Sequence, residues 1–292
     1  MRGVDRQSIV IRRPDGELET KVEPIHALRQ RFPILGWPFI RGSVNFVETM
    51  VNGVKALTYS AEFLPEEEVE EPGKLDRWLE KHLSGEKAEK AVIGFSVFLG
   101  IVLAVGLFFM LPTVIAGLFT GFVKSRILRN LIEGIVRIAL FLAYIILASK
   151  MKEIKRVWMY HGAEHKTIFC YERGLELTVE NARVQPRLHP RCGTSFLFIV
   201  MIVSILVTTV VSWSNVWIRL ALRLALLPVI VGISYELIKY AGRHDNVLTR
   251  IISAPGKALQ RVTTAEPDDS MLEVAIEALK LVLPDEAGAD RW

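Results

Sequence analysis

The stretch "AVIGFSVFLGIVLAVGLFFMLPTVIAGLF", Ala91 to Phe119, contains no charged residue. A bilayer core about 30 Å thick is crossed by roughly 20 apolar residues in a helix, and a soluble core rarely holds so long a run. Three further apolar runs follow. These are Gly134 to Ser149, with Arg137 near its start; Phe196 to Trp213; and Val216 to Tyr240, which includes Arg219, Arg223 and Glu236. The pattern predicts an all-α integral membrane protein with four transmembrane helices. Pro112 is placed to kink or split the first of them. That run starts too far into the chain to be a signal peptide.

Loop charge gives an orientation. Segment 150–195 is rich in Lys and Arg, from Lys150 and Lys152 through Arg187 and Arg191, whereas the turn 214–216 has none. The positive-inside rule then predicts a multi-pass cell-membrane protein with 150–195 and both termini cytoplasmic. The loop Thr120 to Glu133 runs against this with Lys124, Arg126 and Arg129. Either the first run does not cross fully, or the larger bias elsewhere overrides this loop. The bilayer is the expected partner. No basic stripe with interleaved aromatics is present, so nucleic acid is not expected as one. Cys170 and Cys192, the only cysteines, are too few for a disulfide framework.

Four segments are expected. Residues 1–35 hold a β-hairpin, turned at Pro14-Asp15-Gly16 between alternating residues such as Ile9 and Ile11. Residues 36–90 hold an amphipathic helix with Val44, Val47, Val51 and Val54 at helical spacing, then the acidic linker "PEEEVEEPG" and a short polar helix. Residues 91–240 are the membrane domain, including loop 150–195. Residues 241–292 are a cytoplasmic tail with one helix, begun at Pro267-Asp268-Asp269 and striped by Leu272, Ala275, Ile276 and Leu279.

The chemistry-bearing stretch is "MYHGAEHKTIFCYERG", Met159 to Gly174. Few breakers separate it from the second apolar run, so one helix is expected to continue out of the membrane and stop at Gly174. His161 and His165 are i and i+4 and project from one face. Two such nitrogens can bind one metal ion, and Glu164 beside them can act as general base. The order H-x-x-E-H is the inverse of the zinc-protease motif. The alternative is a helix whose histidines face water or cap the neighbouring chain. A catalytic zinc takes three protein ligands and keeps one position open. Glu172 lies too far along the helix to be the third, so the expected third ligand is His189 or Cys192 in "RLHPRCGTS". Arg191 between them is suited to an anionic group. Glu236, ionisable within a span, either faces a functional interior as a further candidate ligand or snorkels to the interface.

The stretches "GWPFIRGSVNFVE", "MYHGAEHKTIFCYE", "LTVENAR", "RLHPRCGTSF" and "EPDDSMLEVAI" resemble the bacterial YqhQ family across nearly the whole chain. These are membrane proteins of unknown function, sometimes labelled predicted metal-dependent enzymes. The resemblance implies a metal and places the motif at His161, Glu164, His165, His189, Arg191 and Cys192. Two departures stand out. A glycine-rich stretch commonly precedes the M-R-G that opens this chain, and Ala265 replaces the arginine of the family's T-T-R-E-P.

The expected function is therefore a membrane-embedded metal-dependent hydrolase, with zinc as the expected divalent metal. It would act at the cytoplasmic interface on a peptide or a lipid head group. The competing expectation is a non-enzymatic scaffold or assembly factor in which a closed set of four ligands is structural. A transport path lined by Arg137, Arg219, Arg223 and Glu236 is the third, and it would require a homo-oligomer.

Overall fold

The computed structural model describes residues 1–25, 32–63, 85–119, 122–190, 192–210, 216–244 and 246–284. It is mostly helical, with one antiparallel hairpin formed by β1 (Arg6–Arg12) and β2 (Leu18–Pro24). The strands pair from Arg6↔Pro24 to Arg12↔Leu18. Gly16 takes φ 91° in the turn, a conformation a side chain resists. A lone hairpin is marginal in water. This one packs on the tail helix, where Ser8 Oγ donates to Ala278 O at 2.7 Å and Arg12 pairs with Glu273.

Helix α1 (Ile40–Ala61) packs along the last apolar helix. A Cβ on Gly42 would stand 2.5 Å from Tyr235 Cβ, so a small residue is needed at this crossing. Val47, Val51, Val54 and Leu57 on the same helix remain exposed. The acidic linker and most of the expected polar helix lie outside the described residues, as do Trp213 and the turn 214–215.

Helix α2 (Gly85–Val105) runs through a π-turn at Gly106–Met110 into α3 (Leu111–Leu118). Pro112 sits just inside α3, where its missing N–H leaves the disturbance to be absorbed by the wider turn. Helix α4 (Arg126–Ala148) starts eight residues before the expected apolar run, with the Ser125 hydroxyl accepting from Leu128 N. Most of the basic loop expected at 120–133 is thus the opening of this helix. Helices α7 (Gly193–Val210) and α8 (Val216–Arg243) complete the apolar group.

Among the described residues, three helices are long and apolar enough to cross a membrane: Ala91–Leu118, Ile127–Ala148 and Leu220–Arg243. The expected fourth, α7, is apolar but shorter over its described length. Ile199 and Val203 of α7 and Ile230 of α8 form the buried core between them.

Inside this bundle two arginines of the apolar runs share one buried carboxylate, that of Glu133. Arg223 grips Glu133 with both Nη atoms, and the Thr113 hydroxyl donates to Glu133 Oε1 at 2.7 Å. Arg137 reaches Glu133 Oε1 at 3.3 Å, Ser204 Oγ at 3.1 Å and the Phe108 carbonyl, inside the π-turn, at 2.9 Å. Arg137 and Arg223 therefore end in a buried ion-pair network rather than along a path. The Arg219 side chain lies outside the described residues.

The expected continuous helix from the second span to Gly174 is interrupted. Lys150 N and Met151 N turn back to the Leu147 and Ala148 carbonyls, and Met151 is extended. A new helix, α5 (Lys152–Glu172), then runs to a stop where Gly174 takes φ 67°. Its buried face, Ala163 and Cys170, packs with Ala182 of α6 (Val179–Arg183) and with Met271, Leu272, Ala275 and Ile276 of α10 (Asp269–Lys280). Asp268 caps α10 by accepting from Met271 N at 2.9 Å, as expected of that sequence.

The tail holds a second, unforeseen helix, α9 (Val247–Thr263), opened by a capping box between Asn246 and Thr249. It packs on α7 and α8. A Cβ on Gly256 would stand 2.3 Å from Ser195 Cβ, so this glycine sets the close approach of α9 to the start of α7.

Candidate metal centre

The centre forms where α5, the loop leading into α7 and the end of α9 meet. His161, His165 and Cys192 each bring a potential ligand atom, all within 4.8 Å of one another. Among the described residues this is the group of His, Cys, Asp and Glu side chains that could hold a metal ion. His165 and Cys192 are buried and His161 partly so.

Backbone carbonyls hold both rings. His161 Nδ1 lies 2.7 Å from Thr263 O, and His165 Nδ1 lies 2.5 Å from Arg187 O. A carbonyl only accepts, so each Nδ1 carries a proton and Nε2 is the nitrogen left for the centre: a lone pair toward a metal or, when protonated, a donor toward the sulfur. His161 Nε2 is then 3.2 Å from Cys192 Sγ. Anchoring of the remote ring nitrogen is how proteins orient histidines that bind metals. Ligand atoms around a tetrahedral zinc at ordinary bond lengths stand about 3.3–3.6 Å apart. The donor set matches that spacing in part and needs only a modest contraction. The three residues are of the types, and lie at the separation, that could hold a metal ion.

The sulfur is electrostatically prepared. Burial would push the Cys192 thiol up, but hydrogen bonds and charge from His161 and His165 outweigh it and bring the pKa down to about 5. Burial pulls the His161 imidazole down, while its bond to Cys192, the Thr263 carbonyl and the nearby Glu164 raise it on balance. Thr194 adds its N–H and hydroxyl to the same sulfur, at 3.4 and 3.2 Å. A thiolate is the form in which cysteine binds metal or attacks carbon. Cys170 is unlike it, since it is fully buried and burial raises its pKa.

Gly162, between the first histidine and Ala163, allows the Thr263 anchor. A Cβ there would stand 2.1 Å from Ala265 O. Without it, the segment after α9 lies against α5, with Ala265 N donating to Trp158 O at 2.8 Å and Arg187 Nη1 to Thr264 O at 2.6 Å.

Two expected ligands are placed elsewhere. His189 stands beside the group, its ring centre 5.8 Å from that of His165, but its Nε2 faces Glu172 Oε2 at 3.2 Å. Glu236 is bound by Arg41 through Nε at 2.7 Å and Nη2 at 2.5 Å. Its carboxylate clamps α1 to α8 and takes no part in the centre. Glu164 is half-buried, outside the ligand group, and close enough to act on the charge of His161. Arg191 lies outside the described residues.

Sequence reasoning missed the supports. Gln260 is fully buried and brackets His189: its Oε1 accepts from His189 N, and its Nε2 donates to His189 O and to Ser195 Oγ. Lys166 is buried too, donating to Arg183 O at 2.8 Å and pairing with Glu266. Gln260 lies in none of the motifs, and Lys166 lies inside the stretch Met159–Gly174 but is not among its candidate residues. For Lys166 the hint was a charge set among Gly162, Ala163, Phe169 and Cys170 on its helical face; Gln260, among Gly256, Lys257, Thr263 and Thr264, gave none.

Residues 37–285 match the family model described as "Protein of unknown function (DUF1385)". The chain is 37% identical over 287 residues to the "Uncharacterized protein YqhQ" of Bacillus subtilis (strain 168), covering 95% of this chain and 86% of that protein. No solved structure matches.

Proposed function

The chain belongs to this uncharacterised YqhQ family, and we propose that it is a membrane-embedded metal-dependent hydrolase with His161, His165 and Cys192 as the ligands. One observation carries the reading: these three donors converge while both histidines present Nε2 inward from rings anchored on Thr263 O and Arg187 O. A scaffold role would favour a closed set of four. His189, the obvious fourth, is turned to Glu172 instead, which supports a three-ligand centre with an open position.

When bound, the metal supplies Lewis acidity that brings a water's pKa toward about 7. This chain's residues do the rest. Cys192 enters as thiolate at neutral pH, the Arg187 and Thr263 carbonyls hold the rings, and Glu164, whose charge reaches His161, is the carboxylate assigned to accept a proton. The substrate is an ester or amide presented at the bilayer surface, on a peptide or a lipid head group.

The test is metal content of the detergent-purified protein, measured by mass spectrometry. One zinc-type ion per chain is expected, lost in His161→Ala with His165→Ala and in Cys192→Ala. Metal content unchanged in these variants refutes the assignment.

A further inference from the structure

A short apolar segment leads into α1. It runs through a single 3-10 turn, Pro33–Gly36, and then Trp37, Pro38 and Phe39, before the helix starts at Ile40. Ile34, Trp37, Phe39 and Ile40 all hold their side chains out, Ile34 at 59% and Trp37 at 60% exposure. Four large apolar groups on one short tip form a patch that a water-facing surface rarely carries.

The tip is seated on α8. The Phe39 carbonyl lies so close to Gly232 that a Cβ there would stand 2.2 Å from the oxygen. Phe39 takes φ 68°, a left-handed conformation rare for a bulky residue. Its N–H donates to Glu236 Oε1 at 3.4 Å, and the same carboxylate binds Arg41. Ser43 Oγ donates to Pro228 O at 2.7 Å. A strained residue persists only where its surroundings fix it, so this is a held position and not a frayed end.

That position is deep. Gly232 lies seven residues before Lys239 and eleven before Arg243, the last residue of α8. At 1.5 Å per residue this is about 10–16 Å in from the polar end of a helix long and apolar enough to cross a membrane core about 30 Å thick. Val229, 48% exposed beside Pro228, adds to the apolar surface at that depth. Farther along, α1 meets the N-terminal segment that carries the hairpin: Glu48 pairs with Arg2 at 3.0 Å, and Lys21 Nζ lies 4.3 Å from the Tyr59 ring. The backbone of the tip also suits a dry surrounding, in which every donor needs a partner. Pro33 and Pro38 have no N–H. The amides of Leu35, Trp37 and Phe39 donate to Phe32 O, Ile34 O and Glu236.

We propose that Pro33 to Ile40 is a re-entrant wedge. It dips into the bilayer beside α8, and Ile34, Trp37, Phe39 and Ile40 contact phospholipid acyl chains. The Arg41–Glu236 pair neutralises the two charges at its base. The wedge does not depend on the histidine–cysteine centre. It shares with the proposed function only the membrane placement of α8.

Photolabelling of the full chain in phosphatidylcholine vesicles tests this. One probe lipid carries a diazirine at the end of an acyl chain, and a second carries it on the head group. Trypsin releases the wedge as Phe32–Arg41, part of α8 as Leu224–Lys239, and a control as Gly174–Arg183, which holds the exposed Leu175. Chain-end label is expected on Phe32–Arg41 and Leu224–Lys239 and not on Gly174–Arg183. Gly232→Leu should move the label on Phe32–Arg41 from the chain-end to the head-group probe; unchanged label there overturns the seat on α8. A parent wedge labelled only by the head-group probe lies on the surface, and one labelled by neither probe while Leu224–Lys239 is labelled is covered by protein. Each of these overturns the proposal. Absence of chain-end label from Leu224–Lys239 refutes the membrane placement of α8 itself, and the wedge with it.

Discussion

Replacing Gly162 with alanine should dismantle the metal centre without touching a ligand. The added Cβ would stand 2.1 Å from Ala265 O and 3.3 Å from Ala265 C. A carbon and a carbonyl oxygen approach to about 3.3 Å at closest. The neighbour is backbone, not a flexible side-chain end, so segment 263–265 must retreat by about 1 Å. The His161 Nδ1 to Thr263 O bond is 2.7 Å and the Ala265 N to Trp158 O bond is 2.8 Å. A retreat of that size carries both to about 3.7 Å or beyond, past hydrogen-bonding range. Each leaves a buried polar group unpaired at about 1–3 kcal/mol, so the expected destabilisation is about 2–6 kcal/mol. With its Nδ1 anchor gone, His161 loses both its fixed tautomer and its aim at Cys192. Thermal unfolding in detergent should show the loss of stability, and metal analysis of protein purified at low temperature should show loss of metal. A G162A protein that melts with the parent and keeps its metal would refute the argument that this glycine sets the anchor.

Two further outcomes are expected. Glu133→Gln leaves Arg137 and Arg223 buried without their shared carboxylate and should cost about 3–5 kcal/mol, read as a lowered melting temperature in detergent; an unchanged melt would show the network to be dispensable. In metal-free protein, alkylation of Cys192 by iodoacetamide should rise with pH through a midpoint of about 5, because the reactive thiolate forms above the folded pKa. His161→Asn should move that midpoint upward toward the ordinary thiol value of 9.0; a midpoint already near that value in the parent would refute the pairing.

The hairpin and the tail helix were legible because each is specified locally. Pro14-Asp15-Gly16 is turn chemistry, and Asp268 ahead of a 3.6-period stripe is a cap. Helix α9 was not, since its sequence carries Pro255 and Gly256, a pair that disfavours a helix interior. In the fold the proline is tolerated in the helix, and the glycine is the point of contact with Ser195. The shared face of His161 and His165 follows from their spacing alone. The choice between Cys192 and His189 does not, because it depends on where loop 184–192 runs. Gln260 of the unforeseen helix pins that loop on both sides of His189. Glu236 was ambiguous for a like reason: its partner Arg41 is 195 residues away.

The Thr263 carbonyl that orients His161 comes 102 residues later in the chain. At a synthesis rate of about 5–20 residues per second, roughly 5–20 s separate the appearance of the first histidine from that of its anchor. In that interval α7 and α8 must be made, and Gln260 cannot yet hold the loop bearing Cys192. The nascent protein therefore carries His161 without its anchor until the end of α9 is made, whereas the Arg187 carbonyl that holds His165 follows only 22 residues after it. A chain stopped before α9 would therefore hold His161, His165 and Cys192 without the carbonyl that orients His161.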